Sequence, residues 1–471
     1  MKRFILSFLF VFFAVHAAYP ADKKYKKPML TEKQQQARLM RFKPVFTKSI
    51  NANLPDREFL LEVARDTWGY FRDVVDKSTG FPLDNVMIFS SYSKVNSYTT
   101  TTNIGLYMMC VVSAYDFGFI TKNEGVRRIR LAIESLKRLE NWEGQFYNYY
   151  GTIKLDRGPR YVSSVDNGWL AAGLIVARQA FDGELGRECE MLLSKFRFRK
   201  LYDPKMGQFY LGYDADKAEY PQYHYGLVCT EPRITSYIAI AKGDVQPEHW
   251  FKLQRTLPAE WDWQSQKPRG ETRQYLGQDV FEGYYTFKEF KYVPSWGGSM
   301  FEFLMPGLVL KEQELALDSF AKNNKAAVNV QIDYALNEMK YPVWGISPCS
   351  VPGDPWGYGE YGVKVLGSKG YEDKSVITPH ATFLAIGIEP EKAVKNLREL
   401  LKFTGMYGEY GFYDAVNVKN GAISTKYLCL DQAMSLIALN NYLNNNAIKE
   451  RFHRDARIKA QEKLLTTEKF Y

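Results

Sequence analysis

The sequence predicts an all-α protein with a few short β-strands in its loops. Apolar residues recur at helical spacing through most of the chain. Segments that are apolar nearly all round tend to alternate with amphipathic segments, as buried inner helices and half-exposed outer helices do. No repeat of fixed length and no shift in composition divides the chain. Together these observations fit a single (α/α)6 toroid, or barrel, over residues 51–471.

The N-terminus has the pattern of a secretory signal peptide over residues 1–17. Basic residues precede an apolar run from Phe4 to Val15, and the small residues Val15 and Ala17 suit cleavage after Ala17. The run is too short to span a membrane, and an uncleaved anchor is the alternative. Residues 18–50 are predicted to form a polar, basic arm. We therefore expect a secreted or periplasmic protein with no stable membrane span.

Helical patterns then follow one another along the chain. Asp56 is a candidate N-cap for the first predicted helix, and Thr121 is a candidate N-cap for the third. The predicted helices cover residues 57–75, 103–117, 122–140, 166–182, 184–198, 230–242, 298–310, 312–323, 328–338, 378–387, 391–404, 430–444 and 447–464. Strand-like segments are few, at residues 208–213, 284–293 and 410–418.

Aromatic residues are unusually abundant, at 15% of the chain, with 33 Tyr, 30 Phe and 9 Trp. Many of them lie in loops beside glycine, proline and acidic residues, as in 142–150, 220–225 and 355–361. Tyr and Trp combine an apolar ring face with a polar group, which suits ligands such as sugars. The loop placement therefore favours a sugar-stacking surface over an aromatic-rich core.

Charge and motif content argue against several other functions. The net charge of +9 is small for 471 residues, and no long Lys/Arg block could follow a nucleic-acid backbone. The five cysteines include no C-x-x-C pair, so disulfides are not expected to form the framework, and Cys110 and Cys429 should be small core residues. The scattered histidines match no tight metal motif. Nucleophile motifs, a Walker loop and a Rossmann fingerprint are absent. We predict no metal, no cofactor and no nucleic-acid partner, and we expect a monomer.

Two glutamates are the leading candidates for catalysis. Cleaving a glycosidic bond usually needs one carboxyl group to protonate the leaving oxygen and a second as nucleophile or as base on water. Glu231 stands at a predicted helix start beside Pro232, although a simple first-turn charge is the alternative. Glu302 lies between two phenylalanines, where burial can raise its pKa, and a solvent-facing acid is the alternative. The nearby pair Gly297-Gly298 would permit close approach of a ligand to the backbone.

Asp166 heads a predicted inner helix, where it could bind a sugar hydroxyl or merely cap the helix. Further candidate sugar contacts are Tyr107, Arg233, Trp296, Trp356, Tyr358, Glu360 and Tyr413. Glu409, Asp414 and Asp431 also lie in aromatic loops or at helix starts, and their signals are weaker.

The chain resembles the glucoamylase-like family, which includes bacterial β-1,2-glucanases and the transglycosylating domain of cyclic β-1,2-glucan synthases. The matching stretches run in order along the chain: Thr102–Tyr107, Arg160–Gly168, Ser236–Asp244, Ser295–Pro306, Tyr410–Ala415 and Asp431–Leu436. The resemblance implies an (α/α)6 barrel that acts on a β-linked glucan. It also implies that Glu231 is the general acid/base and that Glu302 is the nucleophile.

We therefore expect an exported glycoside hydrolase or transglycosylase that acts on β-1,2-linked glucan with a retaining mechanism. The carboxyl groups of Glu231 and Glu302 should face one cavity, about 5–5.5 Å apart if the enzyme retains configuration and about 6.5–9.5 Å apart if it inverts. One alternative is an inverting β-glucanase in which Glu231 is the acid and another carboxylate, such as Asp166, activates water. Another is an inactive glycan-binding or envelope protein on the same fold. A polysaccharide lyase is disfavoured, because no Tyr/His or Arg cluster suited to a uronic acid lies near these motifs.

Overall fold

The computed structural model describes residues 46–89 and 92–471. The predicted signal peptide and residues 18–45 of the predicted arm lie outside the described residues. All of the described residues belong to one unit. Within the described ranges, no helix is both long enough and apolar enough to cross a membrane.

Helices account for most of the regular structure, as the periodicity predicts. They are α1 (Asp56–Asp73), α2 (Thr101–Asp116), α3 (Lys122–Leu136), α4 (Ser164–Ala180), α5 (Glu184–Leu193), α6 (Arg233–Ala241), α7 (His249–Lys252), α8 (Met300–Leu304), α9 (Glu312–Leu315), α10 (Phe320–Asp333), α11 (Pro379–Ala385), α12 (Pro390–Leu400), α13 (Cys429–Leu443), α14 (Ala447–Arg454), α15 (Ala456–Lys459) and α16 (Glu462–Thr467). Short 3-10 turns cover Phe198–Leu201, Met305–Leu308 and Lys364–Leu366, and a π-helical turn, Tyr334–Glu338, continues α10.

Short strands lie in the connections between these helices. They are β1 (Asn85–Ile88), β2 (Ser93–Val95), β3 (Tyr98–Thr100), β4 (Asn141–Trp142), β5 (Gln145–Phe146), β6 (Tyr149–Gly151), β7 (Tyr161–Ser163), β8 (Tyr202–Asp203), β9 (Gln208–Tyr210), β10 (Gly212–Asp214), β11 (His224–Tyr225), β12 (Thr272–Tyr275), β13 (Gln278–Phe281), β14 (Tyr285–Phe287), β15 (Phe290–Tyr292), β16 (Cys349–Ser350), β17 (Tyr358–Gly359), β18 (Val376–Ile377), β19 (Tyr407–Gly408), β20 (Gly411–Phe412), β21 (Ala415–Asn417), β22 (Ile423–Ser424) and β23 (Lys426–Leu428).

The strand pairing is antiparallel and mostly local, although some pairs join distant parts of the chain. The pair β7–β10 places Tyr161 opposite Asp214, and β1–β23 places Val86 opposite Tyr427. Because β1 precedes α2 and β23 leads into α13, the second pairing ties the start of one buried helix to the start of another.

The core lies between helices that are buried nearly all round. In α2 every residue from Thr101 to Ala114 is buried, and α2 packs against α4 and α13. Helix α4 also packs against α6, and α11 packs against both α8 and α13. A Cβ atom on Gly105 would lie 2.3 Å from the carbonyl oxygen of Trp169, so glycine is required where the backbones of α2 and α4 meet. The predicted contrast between inner and outer helices is confirmed for α2 and α3, because α3 buries only one face.

The predicted helix starts are partly confirmed. Thr121 caps α3, since its hydroxyl oxygen accepts a hydrogen bond from the backbone N–H of Glu124 at 3.3 Å. The prediction that Asp56 is an N-cap is wrong, because α1 begins at Asp56 and Pro55 occupies the cap position. In the first turn, the Asp56 carboxylate still complements the positive end of the helix dipole.

Two predicted boundaries in the second half are wrong. The sequence predicts a break between residues 323 and 328, whereas α10 runs through this region because Asn323 and Asn324 are buried with partners. The Asn323 side chain bonds to both the backbone N–H and the carbonyl oxygen of Val293. The predicted helix 447–464 is broken at Asp455, whose carboxylate accepts a hydrogen bond from the backbone N–H of Arg457 at 2.9 Å.

All five cysteines are free and buried, and the predicted core placement of Cys110 and Cys429 is confirmed. In the part of the chain that the structure describes, no group of His, Cys, Asp or Glu side chains is arranged to hold a metal ion.

A buried charge cluster joins the C-terminal tail to the strands before it. Arg255, Glu282 and Glu468 are each 1% exposed, and Glu468 pairs with Arg255. Burial, and then the charge of Glu468, raises the pKa of Glu282 from 4.5 to about 8. The folded protein therefore holds a proton on Glu282 that the unfolded chain releases at lower pH.

This raised pKa predicts a loss of stability toward alkaline pH. The contribution of the protonated Glu282 carboxyl group to the free energy of unfolding is fully present below about pH 4.5 and is lost as the pH rises through about 8. We expect Glu282→Gln, which cannot ionise, to raise Tm at pH 8.5 by about 1–4 °C and to change it little at pH 4.5. Thermal unfolding at both pH values measures the effect, with the exposed Glu289→Gln as control. An equal change in Tm at the two pH values contradicts the assignment.

Candidate active site

Glu231 lies in the turn that starts α6. Its carbonyl oxygen accepts a hydrogen bond from the backbone N–H of Ile234 at 3.4 Å, and Pro232 occupies the N-cap position. The side chain is half-buried. Burial raises the pKa of Glu231 to about 8, and the charges of Glu302 and Asp166 act in the same direction. At neutral pH this carboxyl group therefore keeps its proton and can donate it.

Glu302 lies in the first turn of α8, and its carboxylate is folded back toward the start of the helix. Oε2 accepts hydrogen bonds from the Ser295 hydroxyl at 3.0 Å and from the backbone N–H and hydroxyl of Ser299 at 3.0 and 2.7 Å. Oε1 accepts one from the backbone N–H of Gly297 at 2.8 Å. Glu302 is only 5% exposed, so the solvent-facing alternative is wrong. Burial raises the pKa of Glu302, and these hydrogen bonds counteract part of that rise.

Arg233 connects the turns that carry the two glutamates. The guanidinium, on a side chain that is 1% exposed, forms a bidentate pair with Glu312 at 2.7 and 3.0 Å. It also donates to the carbonyl oxygens of Thr230 and Glu302, each at 3.1 Å, and of Phe303 at 2.5 Å. With its donors used in this way, Arg233 is a positioning residue, and the predicted sugar contact is not supported.

Asp166 lies in the first turn of α4, on the side that faces α2. Ser163 is the N-cap, and its hydroxyl oxygen accepts from the backbone N–H of Asp166 at 3.3 Å. The Asp166 carboxylate instead accepts a hydrogen bond from the Thr102 hydroxyl at 2.6 Å. Ser163, and not Asp166, therefore occupies the N-cap position of α4, and sugar binding by Asp166 stays a prediction. Burial raises the pKa of Asp166.

Tyrosines from three separate parts of the chain complete the cluster. Burial and then the charge of Glu231 raise the pKa of Tyr225, and Tyr161 and Asp166 contribute further. The pKa of Tyr371 is raised by burial and then by Glu302, Glu360 and Glu231. These tyrosines are half-buried, as are Glu231, Asp166 and Glu360, so the cluster is partly accessible to solvent. Sequence reasoning missed Tyr161 and Tyr371, although Tyr225 lies in an aromatic loop noted above.

Gly297 has a different role from the predicted one. A Cβ atom there would lie 2.1 Å from ring atoms of Tyr371, so the space beside this glycine is filled by a tyrosine. At Gly298 φ is +80° and a Cβ atom would lie 2.2 Å from the carbonyl oxygen of Val363. The glycine pair therefore admits protein atoms at these positions, not a ligand.

The other predicted sugar contacts fall into two groups. Glu360 lies with the first acidic cluster, since the charge of Glu302 raises its pKa after burial. Burial raises the pKa of Tyr358, and Asp431 is the largest charge acting on it, so Tyr358 lies nearer to the aspartates at the start of α13. Trp296 directly precedes the Gly297 turn and is half-buried. Trp356 is 45% exposed, with Lys94 Nζ 3.9 Å from the centre of a ring.

Tyr107 and Tyr413 lie in the core, so the structure does not support the predicted sugar contacts. Tyr107 is 1% exposed and lies beside Arg128 of the outer helix α3. Tyr413 is fully buried, stacks on Tyr427 with ring centres 4.6 Å apart, and donates its hydroxyl hydrogen to the carbonyl oxygen of Phe46 at 2.7 Å.

A second acidic cluster lies at the start of α13. Burial and then the charge of Asp431 raise the pKa of Asp414, and His380 Nδ1 lies 3.2 Å from Asp431 Oδ2. Burial raises the pKa of Asp431 to about 7 and lowers that of His380 to about 4. The three residues line a cavity of about 10 Å³, with room for about one water molecule. The sequence indicated the two aspartates weakly and missed His380, whereas Glu409 lies elsewhere, beside Tyr410.

Two families match separate parts of the chain. Residues 271–456 match the family described as "Putative glucoamylase". Over these residues the chain is similar to the glucoamylase-like family. Residues 62–203 match a family described only as a protein of unknown function. Neither match covers residues 204–270, which include Glu231.

Two curated relatives support the similarity to this family. The chain is 26% identical, over 87% of its length, to the cyclic β-(1,2)-glucan synthase of Rhizobium meliloti, of which it covers 18%. It is 22% identical, over 83% of its length, to the exo β-1,2-glucooligosaccharide sophorohydrolase (non-reducing end) of Parabacteroides distasonis, of which it covers 56%. The chain thus spans only part of each relative. The resemblance to the glucoamylase-like family is confirmed.

A solved structure shows the shared fold. The endo-β-1,2-glucanase from Chitinophaga pinensis, in its sophorotriose and glucose complex, superposes with a TM-score of 0.69 at 17% identity. The match covers 88% of this chain and 98% of that chain. A helical fold with short strands is therefore confirmed.

Proposed function

We propose that this protein is a glycoside hydrolase or transglycosylase that acts on β-glucan, with β-1,2-linked glucan as its substrate. One observation carries the proposal: Glu231, with a pKa raised to about 8, lies close enough to Glu302 and Asp166 for the charges of both carboxylates to act on it. A protonated carboxyl group beside a second carboxylate is what cleavage of a glycosidic bond requires. The tyrosines of the cluster supply ring faces and hydroxyls suited to a sugar.

We further propose that the helices form an (α/α)6 toroid with a cleft at one end. The buried helices α2, α4, α6, α8, α11 and α13 would form the inner ring. Pairwise packing of these helices supports this arrangement, and Arg233 connects α6 with α8 through backbone carbonyls. Each inner helix begins at or beside a polar residue of the two acidic clusters: Thr102, Asp166, Glu231, Glu302, His380 and Asp431. Catalytic groups would thus converge from separate parts of the chain.

In the retaining mechanism that we favour, Glu302 Oε1 attacks the anomeric carbon while Glu231 protonates the departing glycosidic oxygen. Oε1 accepts a hydrogen bond from Gly297 and is the less engaged of the two carboxylate oxygens. The glycosyl ester is then cleaved by water or by a sugar hydroxyl, from which Glu231 removes a proton. Water gives hydrolysis, and a sugar hydroxyl gives transglycosylation. Asp166 would hold a hydroxyl of the bound sugar.

The inverting alternative also has an observation in its favour. Glu302 is 5% exposed and its carboxylate is tied to the turn that precedes α8, which suits a positioning role. Asp166 is half-buried and accepts a hydroxyl hydrogen on Oδ1, so its other oxygen could take a proton from water. In that case Glu231 remains the acid and Asp166 becomes the base.

The configuration of the first product separates the two mechanisms. We expect proton NMR of a linear β-1,2-glucan digest to show the β-anomer first, and Glu302→Gln to lose turnover. An initial α-anomer, with a greater loss in Asp166→Asn than in Glu302→Gln, would establish inversion instead. A panel of other β-glucans tests the linkage. If wild type and Glu231→Gln bind glucan equally and neither forms product, the protein is a glycan binder.

A further inference from the structure

Two exposed indoles lie on a loop that meets the turn holding Glu302. Trp261 and Trp263 are 43% and 47% exposed, and their ring centres lie 5.9 Å apart with planes inclined by 29°. The Trp263 ring meets Trp296 edge to face, with centres 6.0 Å apart. Trp296 directly precedes Gly297, whose backbone N–H binds Glu302. The three rings therefore form a continuous aromatic track that ends beside the proposed catalytic turn.

The loop that carries the track is held firmly. The Gln264 amide donates to the carbonyl oxygens of Pro258 and Trp261, at 2.8 and 2.9 Å, and its Oε1 accepts from the Tyr285 hydroxyl at 2.5 Å. Such contacts fix the loop before any ligand arrives, so little conformational entropy remains to be lost on binding.

The same loop is connected to the Glu302 turn through the backbone. The N–H of Ser265 donates to the carbonyl oxygen of Ser368 at 2.8 Å, and the N–H of Ser368 donates to that of Ser295 at 2.7 Å. The Ser295 hydroxyl in turn donates to Glu302 Oε2 at 3.0 Å. The position of the indoles is therefore set relative to the reacting centre.

The surroundings of the indoles favour a neutral, hydroxyl-rich ligand. Glu260 and Asp262 are exposed and alternate with the two tryptophans along the chain. Carboxylates accept hydrogen bonds from sugar hydroxyls, whereas they repel an anionic lipid surface. Large exposed aromatic side chains that touch one another are unusual unless a partner covers them.

We infer that Trp261 and Trp263 form an outer binding site for a β-glucan chain. It adjoins the inner sugar site, which Trp296 borders. This inference rests on the proposed function and adds a preference for long substrates. A short oligosaccharide that occupies the centre of the cleft does not reach the outer indoles, whereas a longer chain stacks on them. Both residues lie in 204–270, outside the two family matches.

The test compares substrates of different length. In Trp261→Ala/Trp263→Ala, kcat/KM for a long linear β-1,2-glucan should fall about tenfold or more, while kcat/KM for a β-1,2-linked trisaccharide should stay within about twofold. Trp263→Tyr keeps a ring face and should restore part of the loss. Tyr442→Ala, which removes an aromatic side chain that is 40% exposed at the end of α13, is the matched control.

The outcomes separate this inference from the proposed function. If the wild type cleaves both substrates and the double variant loses activity equally on both, or on neither, the outer site is refuted. Sedimentation that shows a wild-type dimer and a monomeric double variant would assign the indoles to a subunit interface and would also refute it. If the wild type cleaves no glucan, the proposed function fails, and the outer site is then tested by electrophoresis in glucan-containing gels. Loss of retention in the double variant supports the site, and unchanged retention refutes it.

Discussion

Glu231→Gln is expected to lower kcat on β-glucan by about 10²–10⁴-fold, because it removes the proton that the leaving oxygen must receive. Substrate binding should survive, since the amide has the shape of the carboxyl group. The activity of the wild type should be lost as pH rises through about 8, where Glu231 gives up its proton. This fall in activity is the alkaline limb of the pH profile, and the dependence of kcat/KM on pH measures it.

The alkaline limb should respond to the neighbouring carboxylates. Glu302 and Asp166 both raise the pKa of Glu231. Because Asp166→Asn removes one of these charges, the alkaline limb of its remaining activity should move to lower pH. Glu372→Gln, on an exposed residue that pairs with Lys374, is the control and should leave the limb in place. An alkaline limb that is the same in wild type and Asp166→Asn would show that the two carboxyl groups do not interact.

Arg233→Met is expected to destabilise the protein by about 3–5 kcal/mol. The substitution leaves Glu312, whose side chain is fully buried, without its guanidinium partner. It also removes the donors to the carbonyl oxygens of Thr230, Glu302 and Phe303. The free energy of unfolding from denaturant titration measures the loss.

The matched control is Arg127→Met, which breaks a helical pair with Glu124 in which the arginine side chain is 64% exposed. It should cost no more than about 1 kcal/mol. Arg233→Met/Glu312→Gln should recover part of the stability, because no unpaired buried charge remains, yet its activity should stay low since the two turns are no longer joined. If Arg233→Met and Arg127→Met cost the same, the positioning role is wrong.

Local signals predicted the candidate site only in part. Glu231 and Glu302 could be nominated because each acid stands at a helix start among apolar neighbours. The hydrogen bonds that hold Glu302 could not be assigned, because they depend on how Ser295, Gly297 and Ser299 fold around one carboxylate. Tyr371 carries no local signal at all, since its relevance depends on packing against Gly297.

Burial explains why the structure does not support the predicted sugar contacts of Tyr413 and Arg233. Tyr413 lies in a Gly/aromatic stretch that is indistinguishable by composition from the sugar-stacking loops, yet its ring is covered by Tyr427. Arg233 has the charge of a sugar-binding residue, yet its partner Glu312 is 79 positions away along the chain. Conversely, Trp261 and Trp263 lie far in sequence from the Glu302 turn and gave no signal.

The sequence by itself determined that the protein is helical, that inner and outer helices differ in burial, and which family it resembles. Those properties follow from periodicity and from short motifs, which are local along the chain. Only the tertiary structure decided which aromatic residues lie half-buried beside the acidic residues and which fill the core. It also decided which acids interact and which arginine connects the turns that carry Glu231 and Glu302. Burial, charge interaction and hydrogen bonding depend on distances in space, and residues far apart in sequence set those distances.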